Sequence, residues 1–250
     1  MRAVRTLKQF TADTPSHTLM DLANRCSVNK SSMFRVLATL ESEGFVRQNE
    51  NKRYELGIDL YHLVNSAYGF LDIKKICAPY LKSACDKSNL LIHLAIIDDD
   101  KIIIIDRIWP RNDFEAVVLA SNVGGTVPLH STGVGKVLCA YSPNAIREKL
   151  IGASNFKKFS ERTITDKSEF LATLDEVRSR GYAINEGEHE PYLKCLTRPI
   201  FNADGKIIAA FSLSGLRELL SGEGLELAQR VSQETAILIN KEFGWHLRVV

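Results

Sequence analysis

Apolar residues in the first part of the chain recur at the spacing of three short amphipathic helices. The first helix is predicted around positions 4, 7 and 10 and ends before Pro15. The second begins after Thr18 and the third after Asn29, two residue types that favour helix N-caps. The third helix places its apolar residues on one face and stops at Gly44, a residue type that suits the position just past a helix end.

Two short strands follow the third helix and complete a unit at residues 1–57. Residues 45–47 and 53–56 have the composition of strands, and the polar residues between them predict a hairpin. Three helices followed by a hairpin form a winged helix-turn-helix, in which the third helix enters the major groove of DNA. The sequence therefore predicts a DNA-binding unit.

Charge supports this prediction weakly. The first 57 residues carry nine Lys and Arg against six Asp and Glu, while the rest of the chain carries 23 against 24. Taken one at a time, the polar residues of the helix starts and hairpin are better explained as caps or solvated side chains, and only the whole set favours DNA. The candidate DNA contacts are Thr18, Asn29, Lys30, Ser31, Ser32, Arg35, Arg47, Lys52 and Arg53.

The remaining residues alternate between helical and strand patterns and predict an α+β unit with an antiparallel sheet. A helix is expected at 58–72 and another at 72–88, broken near Pro79. Further helices are predicted at 143–151, 166–180 and 223–242. The predicted strands are 90–97, 101–109, 115–119, 181–185, 196–201 and 206–213.

Several other classes of protein are disfavoured by composition and motifs. The five cysteines include no Cys-x-x-Cys pair, and the run of three acidic residues at 98–100 lacks the further ligands of a calcium loop, so we expect no metal and no disulfide scaffold. A phosphate loop would need a hydroxyl residue after Lys136, where Val137 stands, so no nucleotide cofactor is expected. Apolar runs are too short for a membrane span and no signal-peptide core follows the start, so we expect a cytoplasmic protein without a membrane partner.

The chain resembles the IclR family of bacterial transcriptional regulators over nearly its whole length. In the first unit the matching segments are 18–23, 29–37, 44–46 and 54–57; in the second they include 128–133, 135–136, 188–190, 194–196 and 209–215. The resemblance implies a winged helix-turn-helix domain at 1–57, a linker helix at 58–72 that helps dimerisation, and a GAF-like effector-binding domain at 73–250. It implies a homodimer or homotetramer that binds operator DNA, and we expect a repressor.

In the family, small carboxylates bind between the glycine loop and strands that carry a cysteine and two alternate serines. Carried over by motif, the expected effector contacts are Gly133, Val134, Leu193, Cys195, Ser212 and Ser214, to which we add Asn185. Asn185 stands where carboxylate-binding relatives have an acidic residue, and Tyr192 where they have a glycine. A sugar acid, a polyol or an aromatic acid would each suit the altered pocket. A purely structural role for the cysteine and serines is the competing interpretation.

The alternative function is a hydrolase-like enzyme. Ser131 or Cys195 would act as the nucleophile, with His130 or His189 as the base. The chain has no Gly-x-Ser-x-Gly elbow, and no carboxylate can be assigned to orient the histidine, so we expect no catalysis. A DNA-binding architectural protein is disfavoured as well, because the larger unit has no positive excess with which to bind phosphate.

Overall fold

A computed structural model describes residues 2–11, 14–66, 68–110 and 122–245. The chain divides into two compact units, Met1–Leu71 and Asp72–Val250. The strand predicted at 115–119 lies outside the described residues. None of the described helices is both long enough and apolar enough to cross a membrane.

The first unit is a small helical domain with a three-stranded antiparallel sheet of order β1-β3-β2. Leu22, Met33, Leu37 and Tyr54 form part of its buried core. Its elements are α1 (Arg2–Leu7), β1 (Ser16–His17), α2 (Leu19–Arg25), α3 (Lys30–Ser42), β2 (Val46–Gln48), β3 (Tyr54–Leu56) and α4 (Asp59–Ser66).

Local signals set the boundaries of α2 and α3 as predicted. The Thr18 hydroxyl accepts a hydrogen bond from the backbone N–H of Asp21 at 3.1 Å, and the Thr18 N–H donates to the Asp21 carboxylate at 3.0 Å. Gly44, with φ of +70°, follows α3; a Cβ at this position would overlap the Asp59 carboxylate. Glycine is therefore required there by both backbone conformation and space.

The first helix is shorter than predicted. α1 ends at Leu7, and Phe10 reaches the core from the segment that follows it, with its ring centroid 5.2 Å from that of His17. The apolar spacing therefore extends beyond the end of the helix, because Phe10 packs into the same core from the following segment. The two-residue strand β1 that carries His17 was not predicted.

The second unit is a six-stranded antiparallel sheet, of order β6-β5-β4-β9-β8-β7, with helices on both faces. Its helices are α5 (Tyr68–Ser88), which begins just before the unit boundary, α6 (Gly133–Tyr141), α7 (Asn144–Ala153), α8 (Lys167–Arg180) and α9 (Gly222–Glu242). Its strands are β4 (Leu91–Asp98), β5 (Lys101–Ile108), β6 (Thr126–Val127), β7 (Ala183–Glu186), β8 (Leu193–Phe201) and β9 (Ile207–Leu216).

Two apolar layers hold this unit together. Side chains of α5 and α9, including Leu81 and Val231, pack with Leu213 and its neighbours on one face of the sheet. On the other face, Val137 of α6 and Leu174 of α8 belong to a second buried cluster. The helix and strand content confirms the predicted α+β class with an antiparallel sheet.

The prediction of a helix broken near Pro79 is wrong. α5 runs without interruption from Tyr68 to Ser88, and Pro79 lies inside it. Proline removes one backbone donor from a helix, but Cys77, Leu81 and Cys85 pack into the core on either side and hold the helix in place. The predicted linker helix at 58–72 is accordingly divided between α4, which ends at Ser66, and the start of α5.

Candidate functional site

The third helix and the hairpin of the first unit carry the predicted DNA contacts. Lys30, Ser31 and Arg35 are exposed on α3, on the side away from the buried residues Met33 and Leu37. No carboxylate lies within salt-bridge distance of Lys30 or Arg35 anywhere in the described ranges. Both side chains therefore remain available to an anionic partner.

Asn29 and Thr18 serve as helix caps. The Asn29 side-chain oxygen accepts a hydrogen bond from the Ser32 N–H at 2.8 Å at the start of α3. Because each side chain satisfies a backbone donor at its helix start, the two residues fix the orientation of α2 and α3. Ser32 is half-buried beside the cap.

The three basic residues of the hairpin differ in their surroundings. Arg53, which immediately precedes β3, donates from Nε to the Ser16 hydroxyl at 3.0 Å and from Nη2 to the Ser16 carbonyl at 2.9 Å, so it ties the start of β3 to β1. Arg47 is exposed and lies 3.2 Å from a Glu55 carboxylate oxygen. Lys52 is exposed at the hairpin tip and has no carboxylate within salt-bridge distance in the described part of the chain.

The second unit contains a cavity of about 290 Å³ where the start of α6 faces the sheet. All seven predicted effector residues line it. It is bounded by Gly133, Val134, Asn185, Leu193, Cys195, Ser212 and Ser214, together with His93, Ile104, Thr126, Val127, Pro128, Ser131, Thr132, His189 and Glu190.

Sheet register brings the polar lining residues into rows. Asn185, Cys195 and Ser214 are directly opposite one another across β7, β8 and β9. Ser212 is two residues from Ser214 on the same face, with their hydroxyl oxygens 3.3 Å apart, and pairs with His93 of β4. The strand periodicity thus presents two hydroxyls, a thiol and an imidazole to one space.

The start of α6 closes the cavity. The Thr132 hydroxyl caps the helix by accepting from the Gly135 N–H at 3.2 Å. A Cβ on Gly133 would lie 2.2 Å from the Thr197 hydroxyl, so only glycine allows the helix to approach β8 this closely. The first N–H groups of a helix attract anions, and the start of α6 lines a cavity whose other polar groups are neutral except for the Glu190 carboxylate.

Asn185 is held by the protein itself. Its amide nitrogen donates to the Ser131 carbonyl, and its amide oxygen accepts from the Glu188 N–H at 3.3 Å. The side chain therefore joins the loop before α6 to the loop after β7. Asn185 also lines the cavity, so contact of its amide with an effector stays a prediction.

A buried ion pair lies behind the wall. Lys136 of α6, with only 2% of its surface exposed, donates to the Glu188 carboxylate. The Thr163 hydroxyl donates to the Glu188 carbonyl at 2.6 Å and further fixes the loop that carries His189 and Glu190. Lys136 does not line the cavity, and the described residues that do line it include no lysine or arginine.

Burial sets the charge states within the cavity. It lowers the pKa of His93 to about 4, with a smaller contribution from Arg107, and it also lowers the pKa of His189. Burial raises the pKa of the Cys195 thiol to about 11. At neutral pH the imidazole of His93 is therefore uncharged and the thiol is protonated.

The alternative catalytic arrangement has one close contact. The Ser131 hydroxyl lies 3.4 Å from Nδ1 of His189, whose Nε2 is 3.9 Å from the Glu190 carboxylate, too far for a hydrogen bond. His130 is engaged elsewhere, with the Lys157 carbonyl at 2.9 Å and the Ser154 hydroxyl at 3.2 Å. A protonated Cys195 is a poor nucleophile.

Sequence reasoning missed several cavity residues, among them His93 and Ile104, and it named His189 only as a candidate catalytic base. A signal existed for His93, because it occupies an alternate position in a strongly apolar strand. No local signal identifies Ile104, since only the pairing of β4 with β5 brings this strand to the cavity.

A helix-turn-helix unit joined to an α+β unit with a lined cavity defines a DNA-binding regulator with a ligand-binding domain. Comparison with known families agrees. Residues 1–50 match the IclR helix-turn-helix domain, and residues 66–239 match the bacterial transcriptional regulator IclR C-terminal domain. The chain belongs to the IclR family of bacterial transcriptional regulators.

Individual relatives align over most of the chain. The chain is 26% identical to the HTH-type transcriptional regulator XynR of Escherichia coli K12, over 98% of this chain and 96% of XynR. It is 31% identical to the glycerol operon regulatory protein of Streptomyces coelicolor, over 82% and 80% of the two chains.

A crystal structure shares the fold. An IclR homologue from Microbacterium hydrocarbonoxydans, solved in complex with 4-hydroxybenzoate, superposes with a TM-score of 0.83 at 22% identity and covers 97% of each chain. This likeness confirms the fold, while the family matches given above confirm the resemblance to the IclR family. The hydrolase alternative is not favoured, because the relatives are transcriptional regulators.

Proposed function

We propose that the protein is a repressor that binds operator DNA as a dimer through α3 and the hairpin and responds to a small polar metabolite bound in the cavity. The observation that carries this proposal is that the seven residues expected to contact an effector all line one cavity. The available cations of α3 support a polyanionic partner for the other unit.

The composition of the cavity restricts the ligand. Its walls combine apolar residues such as Ile104, Val127 and Leu193 with neutral donors and acceptors and with the Glu190 carboxylate. The start of α6 suits a single acidic group, and Ser212 and Ser214 suit hydroxyl groups. A singly charged sugar acid, a polyol or a hydroxylated aromatic acid fits this pattern, whereas a multiply charged anion would find no lysine or arginine among the described lining residues.

The DNA-binding part is tested by substitutions on α3. Arg35→Ala and Lys30→Ala should each weaken binding by about 1 to 3 kcal/mol and relax sequence preference if the side chains contact bases. Affinity is measured by fluorescence anisotropy on duplexes selected by the wild-type chain. Lys167→Ala, an exposed lysine of α8, serves as the matched control and should bind like wild type.

The hairpin is expected to bind DNA by contacting the charged phosphate backbone. Lys52→Ala should weaken binding to all sequences alike and reduce the slope of log affinity against log salt by about 1, because a phosphate contact releases counterions. Arg53→Ala should instead lower stability, because its guanidinium bonds Ser16. Unchanged affinity in Arg35→Ala, Lys30→Ala and Lys52→Ala together would contradict α3 and the hairpin as the binding surface.

The cavity is tested with a panel of a sugar acid, a polyol and an aromatic acid, for which D-gluconate, glycerol and 4-hydroxybenzoate are suitable members. A ligand at 100 times its Kd stabilises the native state by about 2.7 kcal/mol, which a thermal shift detects. Ser212→Ala combined with Ser214→Ala should weaken binding of the active compound by at least about tenfold, since each hydrogen bond contributes about 1 kcal/mol.

The control for this test is Ser142→Ala, which removes a buried hydroxyl beyond the far end of α6, outside the cavity. It should bind the ligand like wild type. A double serine variant that still responds at the wild-type concentration would place the effector elsewhere. The repressor assignment is read from a promoter fusion, whose output should rise when the gene for the protein is deleted and when the ligand is added.

A further inference from the structure

Phe34 is an aromatic side chain that the first unit does not bury. It leaves 58% of its surface exposed on α3, while its neighbours Met33 and Leu37 belong to the core. Single exposed apolar residues are common on protein surfaces, so exposure alone assigns no role. The position of Phe34 on α3 is what distinguishes it.

Phe34 lies among exposed positions along the helix, two of which are cationic. Lys30 lies one turn before it, Arg35 is adjacent in sequence, and Ala38, one turn after it, is exposed and small. An aromatic ring between two available cations is poorly placed for an apolar protein groove, because the cations would be desolvated without partners. It is well placed on a polyanion that offers an apolar group beside its charges.

Duplex DNA offers such a group. In the major groove the C5-methyl of thymine is the apolar feature of the base edges, and phenylalanine is one of the side chains that contact it. Building on the proposed function, we propose that Phe34 contacts a thymine methyl group in each operator half-site and is a specificity-determining residue. Arg35, 100° further around the helix, would contact a neighbouring base pair.

The test uses a consensus duplex selected from a randomised library by the full-length wild-type chain. Each thymine of the duplex is replaced in turn by deoxyuridine, which lacks only the C5-methyl. At one position in each half-site the replacement should weaken wild-type binding by about fourfold, as expected for withdrawing one methyl group from an apolar contact. At the same position Phe34→Ala should bind the thymine and uracil duplexes equally.

Val4→Ala is the matched control, because Val4 of α1 is exposed to a similar extent, 57%, and lies on another helix. It should retain the wild-type response to uracil. Thermal unfolding of Phe34→Ala should match wild type, since an exposed ring contributes little to the core.

The outcomes separate this inference from the proposed function. Selection of no duplex at all would contradict the DNA-binding function itself. Two results would overturn the role of Phe34 alone, provided that binding still requires Arg35. One is a consensus that lacks thymine, and the other is the same response to uracil in wild type and Phe34→Ala. A change in the oligomeric mass of Phe34→Ala by light scattering, with the uracil response intact, would place Phe34 in an interface between copies and overturn the inference as well.

Discussion

At the scale of single residues, burial decides what the cavity offers a ligand. The neutral imidazole of His93 and the protonated thiol of Cys195 present donors and acceptors without charge. This state is suited to reversible binding, whereas nucleophilic chemistry would need a thiolate or an oriented base. The electrostatics of the cavity therefore favour the sensor interpretation over the enzyme.

The lowered pKa of His93 predicts a pH dependence of stability. In the unfolded chain a histidine titrates near 6.5, while in the folded protein the pKa is about 4, so the unfolded state binds more protons between these values. The contribution of His93 is fully present above pH 6.5 and is lost as the pH falls, by about 3 kcal/mol at pH 4.

Urea unfolding of wild type and His93→Gln at pH 7 and at pH 4 measures this contribution. His130 and His189 titrate in both proteins, so their effects cancel in the difference. The free energy of unfolding should fall more steeply in wild type than in His93→Gln. Parallel curves for the two proteins would show that His93 is not buried in the neutral form.

At the scale of helices and strands, the cap at the start of α3 is expected to link stability to DNA binding. Asn29→Ala should lower the free energy of unfolding by about 1 kcal/mol, because the Ser32 N–H loses its acceptor. Asn29→Asp should keep the cap and the stability while adding a negative charge at the DNA-facing end, and so weaken DNA binding. Chemical denaturation and anisotropy measure the two effects, and an Asn29→Asp variant that binds like wild type would contradict the placement of this end against phosphate.

Features that depend on neighbouring residues could be predicted from the sequence, whereas elements that depend on pairing or packing with distant segments could not. Caps at Thr18 and Asn29 and the stop at Gly44 follow from the residue and its near neighbours. The two-residue strands β1 and β6 exist because they pair with β3 and β5, and no local propensity announces them. Tertiary packing likewise keeps α5 helical on both sides of Pro79.

The same division applies to the cavity. The resemblance located Cys195, Ser212 and Ser214, whose shared face follows from strand periodicity. It could not reveal that the amide of Asn185 forms hydrogen bonds with Ser131 and Glu188. Ser131 is distant in sequence, and Glu188 meets the amide only because the loop after β7 turns back toward it. Residue type therefore indicates which polar groups line the cavity, whereas their hydrogen-bond partners are seen only in the structure.

At the scale of the whole molecule, the chain forms two compact units, and the proposed function assigns DNA contact to the first and ligand contact to the second. A ligand shifts DNA affinity only if it binds two arrangements of the protein unequally. A coupling free energy of about 1 to 3 kcal/mol would change operator affinity from about 5-fold to 150-fold. A two-fold symmetric assembly provides such a mechanism, because the spacing of two DNA-binding units must match the spacing of two half-sites.

We therefore expect a dimer or tetramer, since a single winged helix makes few base contacts and paired half-sites are the usual remedy. Light scattering at micromolar concentration should give a mass of at least twice 28.0 kDa, with and without a selected duplex. Ile58, 68% exposed just before α4, lies in the predicted dimerisation segment, so Ile58→Glu should lower the mass and the operator affinity together. A 28.0 kDa monomer that binds the duplex with full affinity would contradict the symmetric mechanism, because one unit alone would then account for recognition.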